Sequence, residues 1–541
     1  MARSNTKQPL FDTFQHSKYT AGEKNPVAVP ALGHQPDVNY YLIPPSKLRY
    51  ATNVVLSNNS YHGRKGLNTL GSAGSGEIVY AMHFTTRTGV TYFFRFFTNH
   101  VERFDGSVWA TTTGLPTLTG TTEDIFTFTF WGDLLIFSNG VDGTYVVDPT
   151  TNVGATISAA PPALWLTVAA KRLIIAGSDT DPNTIFWSIR GDFTDFSGLG
   201  SGSEDMLSTP GGYVDSLTGV YPVADQISFV VRSRSIWSMV ETGSFDAPFQ
   251  FSKSYPEIGG EFPFGVAIVP GGVIVPTKGD IHRVTMQNGV EHIATGVTDH
   301  IFSGLAVGAR RRVCGAANQQ GNFYRLFVPT STNNHRVHTC TLGTERDEPY
   351  QWTTFEYPFD IRAMSVGVPD FALQTDELPG DSDSLSGQTD DLGVTEGDTG
   401  LILIPDATNA YIVIEDATQT DNPSGRDVTV NGQRYKSGFD IQTGILVSTS
   451  PLDKSLTNDM QVVIISNRDC IVKVAFSGDG GDTWEQEQNI RVEASDKPKV
   501  YRATCNLERD SLLMRVRSLD SGSIQMTLMS PSVVGGAMVN A

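Results

Sequence analysis

The chain has 541 residues, among them 53 glycines and 28 prolines, with 18% charged side chains and a formal net charge of −19. That length admits more than one hydrophobic core, and the prominence of Thr, Ser, Val, Ile, Phe and Tyr favours pleated surfaces over helices. No window of helix-spanning length keeps a helical period or an unbroken apolar run, which excludes a helical bundle and a helical membrane span.

The charge is uneven. Residues 1–70 hold eight basic side chains against three acidic ones, a net of +5, so the rest of the chain carries −24. A body this acidic repels phosphate and is ill suited to gripping nucleic acid by counterion release. It suits solubility, or a wall that a polyanion passes without sticking. Cys314, Cys340, Cys470 and Cys505 include no C-x-x-C pair. They read as small buried hydrophobes rather than a disulfide framework or a zinc site. The start, M-A-R-S-N-T-K-Q-P-L, lacks the apolar segment of a secretory signal. The expectation is assembly in a reducing cytoplasm.

In chain order, residues 1–70 read as a polar, proline-dotted N-terminal arm followed by first strands, A-T-N-V-V-L at 51–56 and Y-H-G-R-K-G at 61–66. Hairpin units then recur: Glu77 to Trp109, Ile125 to Asp148, Leu164 to Ser188, Tyr213 to Glu241, Gly265 to Val284 and Asn322 to Ser365. In the second unit Asn139-Gly140 and Asp142-Gly143 are placed for the positive φ of a tight turn. The second strands start near Asp133, Arg172, Asp225, Gly271 and Asn322, in steps of 39, 53, 46 and 51 residues. Several short strands per unit at this spacing predict propeller blades over 71–369 rather than one large two-sheet sandwich.

From 370 to 400 the chain turns acidic: Asp376, Glu377, Asp381, Asp383, Asp390 and Asp391 occur with no Lys or Arg between them. The segment reads as a solvated insertion or linker, on the outer surface or in a lumen. It lacks the glycine and terminal glutamate of a calcium loop. Residues 401–541 return to alternating β patterns and predict a separate sandwich-like or barrel-like module. The fold class is thus all-β: an irregular propeller, an extended N-terminal arm and a C-terminal β-sandwich or barrel-like module.

One phrase points towards enzymes. Ser477, Asp479, Gly481, Thr483 and Trp484 spell S-x-D-x-G-x-T-W, the Asp-box pattern familiar from sialidases. Its chemistry is structural: Ser and Asp oxygens bond the backbone of a β-turn and Trp packs below. One copy, without recognisable phrases for sialidase arginines and nucleophile, leaves a glycan hydrolase as a minor alternative. The sequence shows no G-x-S-x-G elbow, phosphate loop or H-E-x-x-H. Its ten histidines are scattered, His335 and His338 being the nearest pair. No catalytic residue, cofactor site or metal site is assigned, and the expectation is a protein that is not an enzyme.

The phrases N-T-I-F-W and W-S-I-R-G-D-F-T-D-F-S at 183–197, S-F-V-V-R-S-R-S-I-W at 228–237, and G-V-I-V-P with G-D-I-H-R-V at 272–284 carry a resemblance. Over about residues 50–370 the chain resembles tail nozzle or hub proteins of short-tailed double-stranded DNA bacteriophages. The resemblance implies a homohexameric ring of the virion tail, assembled in the bacterial host cytoplasm, below portal and adaptor proteins and beside tail fibres or spikes. Double-stranded DNA would be retained by the ring and leave through it without specific binding. Arg49, Arg64 and Lys65 are candidate docking residues towards neighbouring proteins. A cellular propeller that scaffolds other proteins is the competing reading. A receptor-binding tailspike fits less well, since parallel β-helix repeats are missing.

Overall fold

The computed structural model of the chain describes residues 33–366 and 401–534, apart from short segments of which 207–214, 343–349 and 417–427 are the longest. The N-terminal residues 1–32 and the acidic segment 370–400, with Asp376, Glu377, Asp381, Asp383, Asp390 and Asp391, lie outside the described residues. The regular secondary structure described is almost entirely strand. The order begins with β1 (Leu48–Thr52), β2 (Val54–Ser57), β3 (Ser60–Gly63) and β4 (Gly66–Leu70).

Five four-stranded antiparallel meanders follow. They are β5–β8 (Ile78–Thr85, Thr91–Phe97, Val101–Phe104, Trp109–Thr111) and β9–β12 (Thr127–Trp131, Leu134–Ser138, Tyr145–Asp148, Val153–Thr156). Next come β13–β16 (Trp165–Ala169, Arg172–Ala176, Thr184–Trp187, Gly202–Asp205) and β17–β20 (Leu217–Ala224, Ile227–Arg232, Ile236–Glu241, Phe249–Tyr255). The fifth is β21–β24 (Ala267–Val269, Gly272–Pro276, Ile281–Thr285, Gly289–His292). After a short helix α1 (Thr298–Phe302) comes a further meander, β25–β28 (Cys314–Asn318, Phe323–Phe327, Arg336–Leu342, Tyr350–Glu356). A sixth separate four-stranded sheet is made by β29 (Ile361–Val366), β30 (Leu401–Pro405), β31 (Ile412–Asp416) and, returning from the start of the chain, β4.

Burial turns these sheets into a ring. Phe94 and Phe96 of the first blade pack with Phe126, Leu135 and Phe137 of the second. Ile136 meets Leu166, Leu173 and Ile175 between the second and third, and Ile174 and Trp187 meet Val220 and Val230 between the third and fourth. Val231 and Ile236 meet Val273 and Val275 between the fourth and fifth. The place between fifth and sixth sheets is filled by β25–β28, through Ile274 and Ile281 with Tyr324, Leu326 and Trp352 on one side. On its other side Phe327 and Phe355 share a cluster with Leu401, Leu403, Ile78 and Phe93, which brings the ring back to the first blade. Central strands have both faces between neighbouring sheets, and R-L-I-I-A and G-V-I-V-P are buried along their whole length, whereas outer strands such as β16 are exposed.

The second strands of units two to five and of β25–β28 begin at Leu134, Arg172, Ile227, Gly272 and Phe323, within two residues of the predicted starts. The sixth predicted unit divides differently: Phe323 to Glu356 belongs to the bridging meander, while D-I-R-A-M-S opens the sixth sheet as β29. In the N-G-V-D-G turn, Gly140 takes φ 76° and Gly143 stays outside the left-handed region.

The second module is a two-sheet sandwich. It uses β34 (Phe439–Thr443), β36 (Ser455–Ser466), β37 (Cys470–Ser477), β38 (Glu485–Val492), β39 (Ser495–Arg509), β40 (Ser511–Ser518) and β41 (Ile524–Leu528). One layer runs β1-β34-β40-β37-β38 and the other β2-β3-β41-β36-β39. Between the layers lie Leu56, Tyr61, Ile441, Val462, Val474 and Met514. A small hairpin β32–β33 (Val428–Val430, Gln433–Tyr435) and the short strands β35 (Val447–Ser448) and β42 (Ser532–Val534) complete the set.

The division expected from sequence is therefore corrected at both boundaries. Strands β1–β3, within the first 70 residues, are sandwich strands, and β4 is a propeller strand. Residues 401–416, assigned from sequence to the C-terminal module, form β30 and β31 of the propeller's sixth sheet. Open edges explain both exchanges: β31 ends a sheet whose fourth strand must come from elsewhere in the chain, and β4 supplies it from Gly66↔Asp416 to Leu70↔Ile412.

A buried ion cluster locks this joint. Glu415 on β31, 1% exposed at its side chain, contacts the Arg325 guanidinium on β26, lies 3.9 Å from Arg64 and accepts a 2.6 Å hydrogen bond from the Tyr357 hydroxyl. Burial alone would raise the Glu415 carboxyl, but Arg325 and Arg64 outweigh it and hold the group below the ordinary carboxylate range. Glu415→Ala removes the counter-charge of two buried guanidiniums, and the expected loss is about 3–5 kcal/mol. Urea denaturation followed by tryptophan fluorescence measures it; a loss under about 1 kcal/mol, the level of a surface pair, contradicts this account.

Candidate functional site

The residues singled out in the sequence come to rest in different places. The W-S-I-R-G-D-F-T-D-F-S phrase forms the long loop between β15 and β16, built on tandem aspartate turns. Asp192 Oδ1 accepts from the Thr194 amide at 2.8 Å, and Asp195 Oδ1 accepts from the Ser197 and Gly198 amides at 2.8 and 2.9 Å. Arg172, buried at the start of β14, donates to the Ser188 and Gly200 carbonyls at 2.8 and 2.7 Å and so closes the loop at its base. Phe193 reaches the preceding blade, its ring centroid 5.5 Å from that of Trp131. The phrase is therefore a blade-to-blade strap. Beside it Leu199 and Phe245, 80% and 66% exposed, leave apolar surface at the rim of the third and fourth blades.

The Asp-box residues cap the β37–β38 hairpin of the sandwich. Ser477 Oγ donates to Asp479 Oδ1 at 2.7 Å and accepts from the Gly481 amide at 2.8 Å. Asp479 also takes the Thr483 amide at 3.0 Å and the Thr483 hydroxyl. The hydroxyls of Ser477 and Thr483 and the Thr483 amide hold the Asp479 carboxyl well below its ordinary range. Gly481 has φ 91°, and a Cβ there would lie 2.3 Å from the Arg49 guanidinium. Trp484 lies under Arg515, 5.7 Å from guanidinium carbon to ring centroid. The Ser477 and Asp479 oxygens are thus turned inward to the turn, an arrangement that shapes backbone. Asp479→Ala is expected to lower the melting temperature and to speed amide exchange at Gly481 and Thr483, with the propeller amides unchanged; hydrogen-exchange mass spectrometry reads both.

The candidate docking residues separate. Arg49 on β1 is half-buried, set against Tyr50 and the Asp-box turn. Arg64, 6% exposed, belongs to the Glu415 cluster with its guanidinium 4.8 Å over the Tyr357 ring. It has no surface to offer a partner, because ring closure consumes it. Lys65 lies outside the described residues.

Two histidine groupings were not legible. His338 is not paired with His335: on β27 it meets His300 of α1 at 5.4 Å between ring centroids, and His300 meets His34 at 5.6 Å. Thr354 Oγ1 on β28 sits between His300 Nε2 at 3.3 Å and His338 Nδ1 at 3.4 Å. Asp37 draws the segment 33–39 onto α1 by accepting the Asp299 and His300 amides at 2.7 and 2.8 Å. The site lies where the propeller meets the sandwich, for β28 pairs in parallel with β1 at Thr52↔Thr354. Burial lowers all three imidazoles; Arg336 adds to it at His300, which falls to about 4, and the neighbouring imidazoles add to it at His34 and His338.

The second grouping is on the fifth blade. Asp280 ends the turn before β23, His282 lies two residues on, and His292 of β24 is the register partner of His282. One donor atom from each of the three lies within 4.8 Å of the others. The D-x-H step was visible in the sequence; His292 was not, because it joins only through the hairpin at Gly289.

For the junction histidines the sign of the pH effect follows from their lowered values. The unfolded chain protonates near the ordinary value of 6.5, whereas folded His300 does so only near 4. The unfolded state therefore binds more protons across that window. Their contribution to stability is complete above about 6.5 and is lost as pH falls towards 4. The urea midpoint is expected to drop over that window, and His300→Phe, which keeps a ring and removes one titrating group, to flatten the drop. An equal drop in the variant counts against the assignment.

Among the described residues no helix is long and apolar enough to cross a membrane. No family model matches the chain, and no curated protein matches it. Similar solved structures include the computationally designed Ika8 protein, 10% identical, with a TM-score of 0.35 over 72% of this chain and 99% of that one. YCF48 bound to a D1 peptide is 8% identical, with a TM-score of 0.35 over 65% of this chain and 94% of that one. At such identity and TM-score neither neighbour bears on what this chain does.

Proposed function

We propose that the chain is a structural protein of a bacteriophage tail, the subunit of a nozzle or hub ring through which double-stranded DNA is held and released. The observation that supports the reading is the order of the phrases at 183–197, 228–237 and 272–284, which fall on strands and a strap of three successive blades. Two physical features support it. The net charge of −19 suits a conduit that a polyanion must cross without adhering. The ten-stranded sheet that runs from the bridging meander through β1 into the sandwich ties the two modules side by side, as a ring wall under load requires. Head-to-tail contacts between identical subunits close into rings when the rotation permits, and six copies is the number that the family resemblance implies. Portal and adaptor proteins above, and fibres or spikes beside the ring, are the partners proposed with it. No residue is assigned a catalytic part.

A propeller that scaffolds other proteins is the second reading, favoured by the apolar surface of Leu199 and Phe245 at the rim. Gold-conjugated antibody to the protein, applied to intact particles from the source lysate, separates the two. Gold confined to the tail at one vertex is the expected result. Unlabelled particles, with the protein free in the lysate, overturn the nozzle proposal and leave the scaffold.

A further inference from the structure

The fifth blade carries three metal-ligating side chains on one face of a hairpin. Asp280 and His282 point the same way because they are two residues apart on an extended chain, and β24 sets His292 directly across from His282. The aspartate is fixed by its surroundings. Its Oδ1 accepts the Ile281 amide at 2.7 Å, and its amide donates to Thr277 Oγ1 at 3.0 Å. That leaves Oδ2 aimed at the imidazoles, 2.5 Å from His292 Nδ1 and 3.8 Å from His282 Nε2.

His282 is the informative member. It is 8% exposed, yet its Nδ1 has no hydrogen-bond partner and its Nε2 stands beyond hydrogen-bonding distance of Asp280. A buried imidazole in that state lacks the compensation that buried polar groups ordinarily have. An Asp280–His292 contact by itself would leave that deficit in place. A cation between the three side chains would bond Nε2, the nitrogen that faces Asp280 Oδ2 across 3.8 Å, and leave Nδ1 as it is.

We propose that Asp280, His282 and His292 bind a divalent first-row transition ion, with zinc as the natural probe. Two imidazole nitrogens and one carboxylate oxygen are the donor set that such ions take, at bonds of about 2.0–2.2 Å. In tetrahedral geometry those bonds place donors about 3.3–3.6 Å apart, so a turn of His292, whose side chain is 64% exposed, has to open the 2.5 Å contact with Asp280 and close the 4.8 Å separation. Three protein ligands leave the remaining positions to water or to a donor from a neighbouring molecule. The ion ties the turn after β22 to the end of β24, the outer strand of its blade.

The test uses the full chain without a histidine tag, stripped with chelator and titrated with Zn2+ by calorimetry and with Co2+ by visible absorption. One ion per chain is expected, with a Co2+ band in the visible range and a melting temperature that rises with zinc. His292→Gln, at an exposed position that leaves the fold intact, is expected to weaken binding by about 100-fold or more, at least the loss that outer-shell changes give, and to abolish the zinc-dependent rise. Asp280→Asn, which keeps the oxygen that accepts the Ile281 amide, is expected to do the same. Absence of stoichiometric binding in the unaltered chain overturns the proposal, and so does binding that both variants leave unchanged.

Discussion

A ring of sheets has no natural end, and the last blade must be completed to four strands for it to match the rest. Here that constraint is met by β4, which crosses from the start of the chain to β31. Much else in the molecule depends on this joint. Because β4 is committed to the propeller, the three strands before it are delivered to the sandwich. Because Arg64 lies just ahead of β4, it is carried inward with it, and a buried positive charge needs a buried negative one. Glu415 answers that need and draws in Arg325 and Tyr357, so closing blade, first strands and bridging meander share one electrostatic centre.

The passage between modules follows the same logic on a smaller scale. Asn53 stands between β1 and β2, which belong to opposite layers of the sandwich. It takes φ 57°, a left-handed conformation that asparagine tolerates better than most residues. Its side chain accepts the Glu356 amide at 2.8 Å and donates to the Gly438 carbonyl at 2.9 Å. One residue thus turns the chain from layer to layer while fastening both to the meander. The junction histidines lie beside this corner, which explains why their neutrality matters to the contact between modules.

Much of what is encoded within a hairpin was legible in the sequence. Blade spacing was legible because each meander is local: an apolar central strand, a Gly or Asx turn, and a return strand lie within some tens of residues. The Asp-box turn was legible for the same reason, since five residues carry its whole bonding scheme. Non-local pairing was not legible. Nothing in G-L-N-T-L marks β4 as a propeller strand, and L-I-L-I suits a sandwich as well as a blade. His335 and His338 are neighbours in sequence only, whereas β27 sends His338 towards His300 and His34. Asp280 and His282 were open to view; the register that adds His292 depends on where the hairpin turns, and Gly289 with φ 75° decides it.

The threading of the first strands has a consequence for how the molecule comes into being. Leu67 pairs with Glu415, and Tyr61 with Met526, so the propeller is not closed before residue 416 exists and the sandwich not before the last strands do. During synthesis the middle blades, whose contacts are local, can collapse early, while β1–β4 wait with unpaired edges. Folding of the whole is therefore governed by two late, long-range closures. The same closures bear on the reverse path: β4 leaves only by breaking its ladder with β31, and β3 only by leaving β41. Resistance to coming apart is then set by the barrier to breaking these long-range ladders.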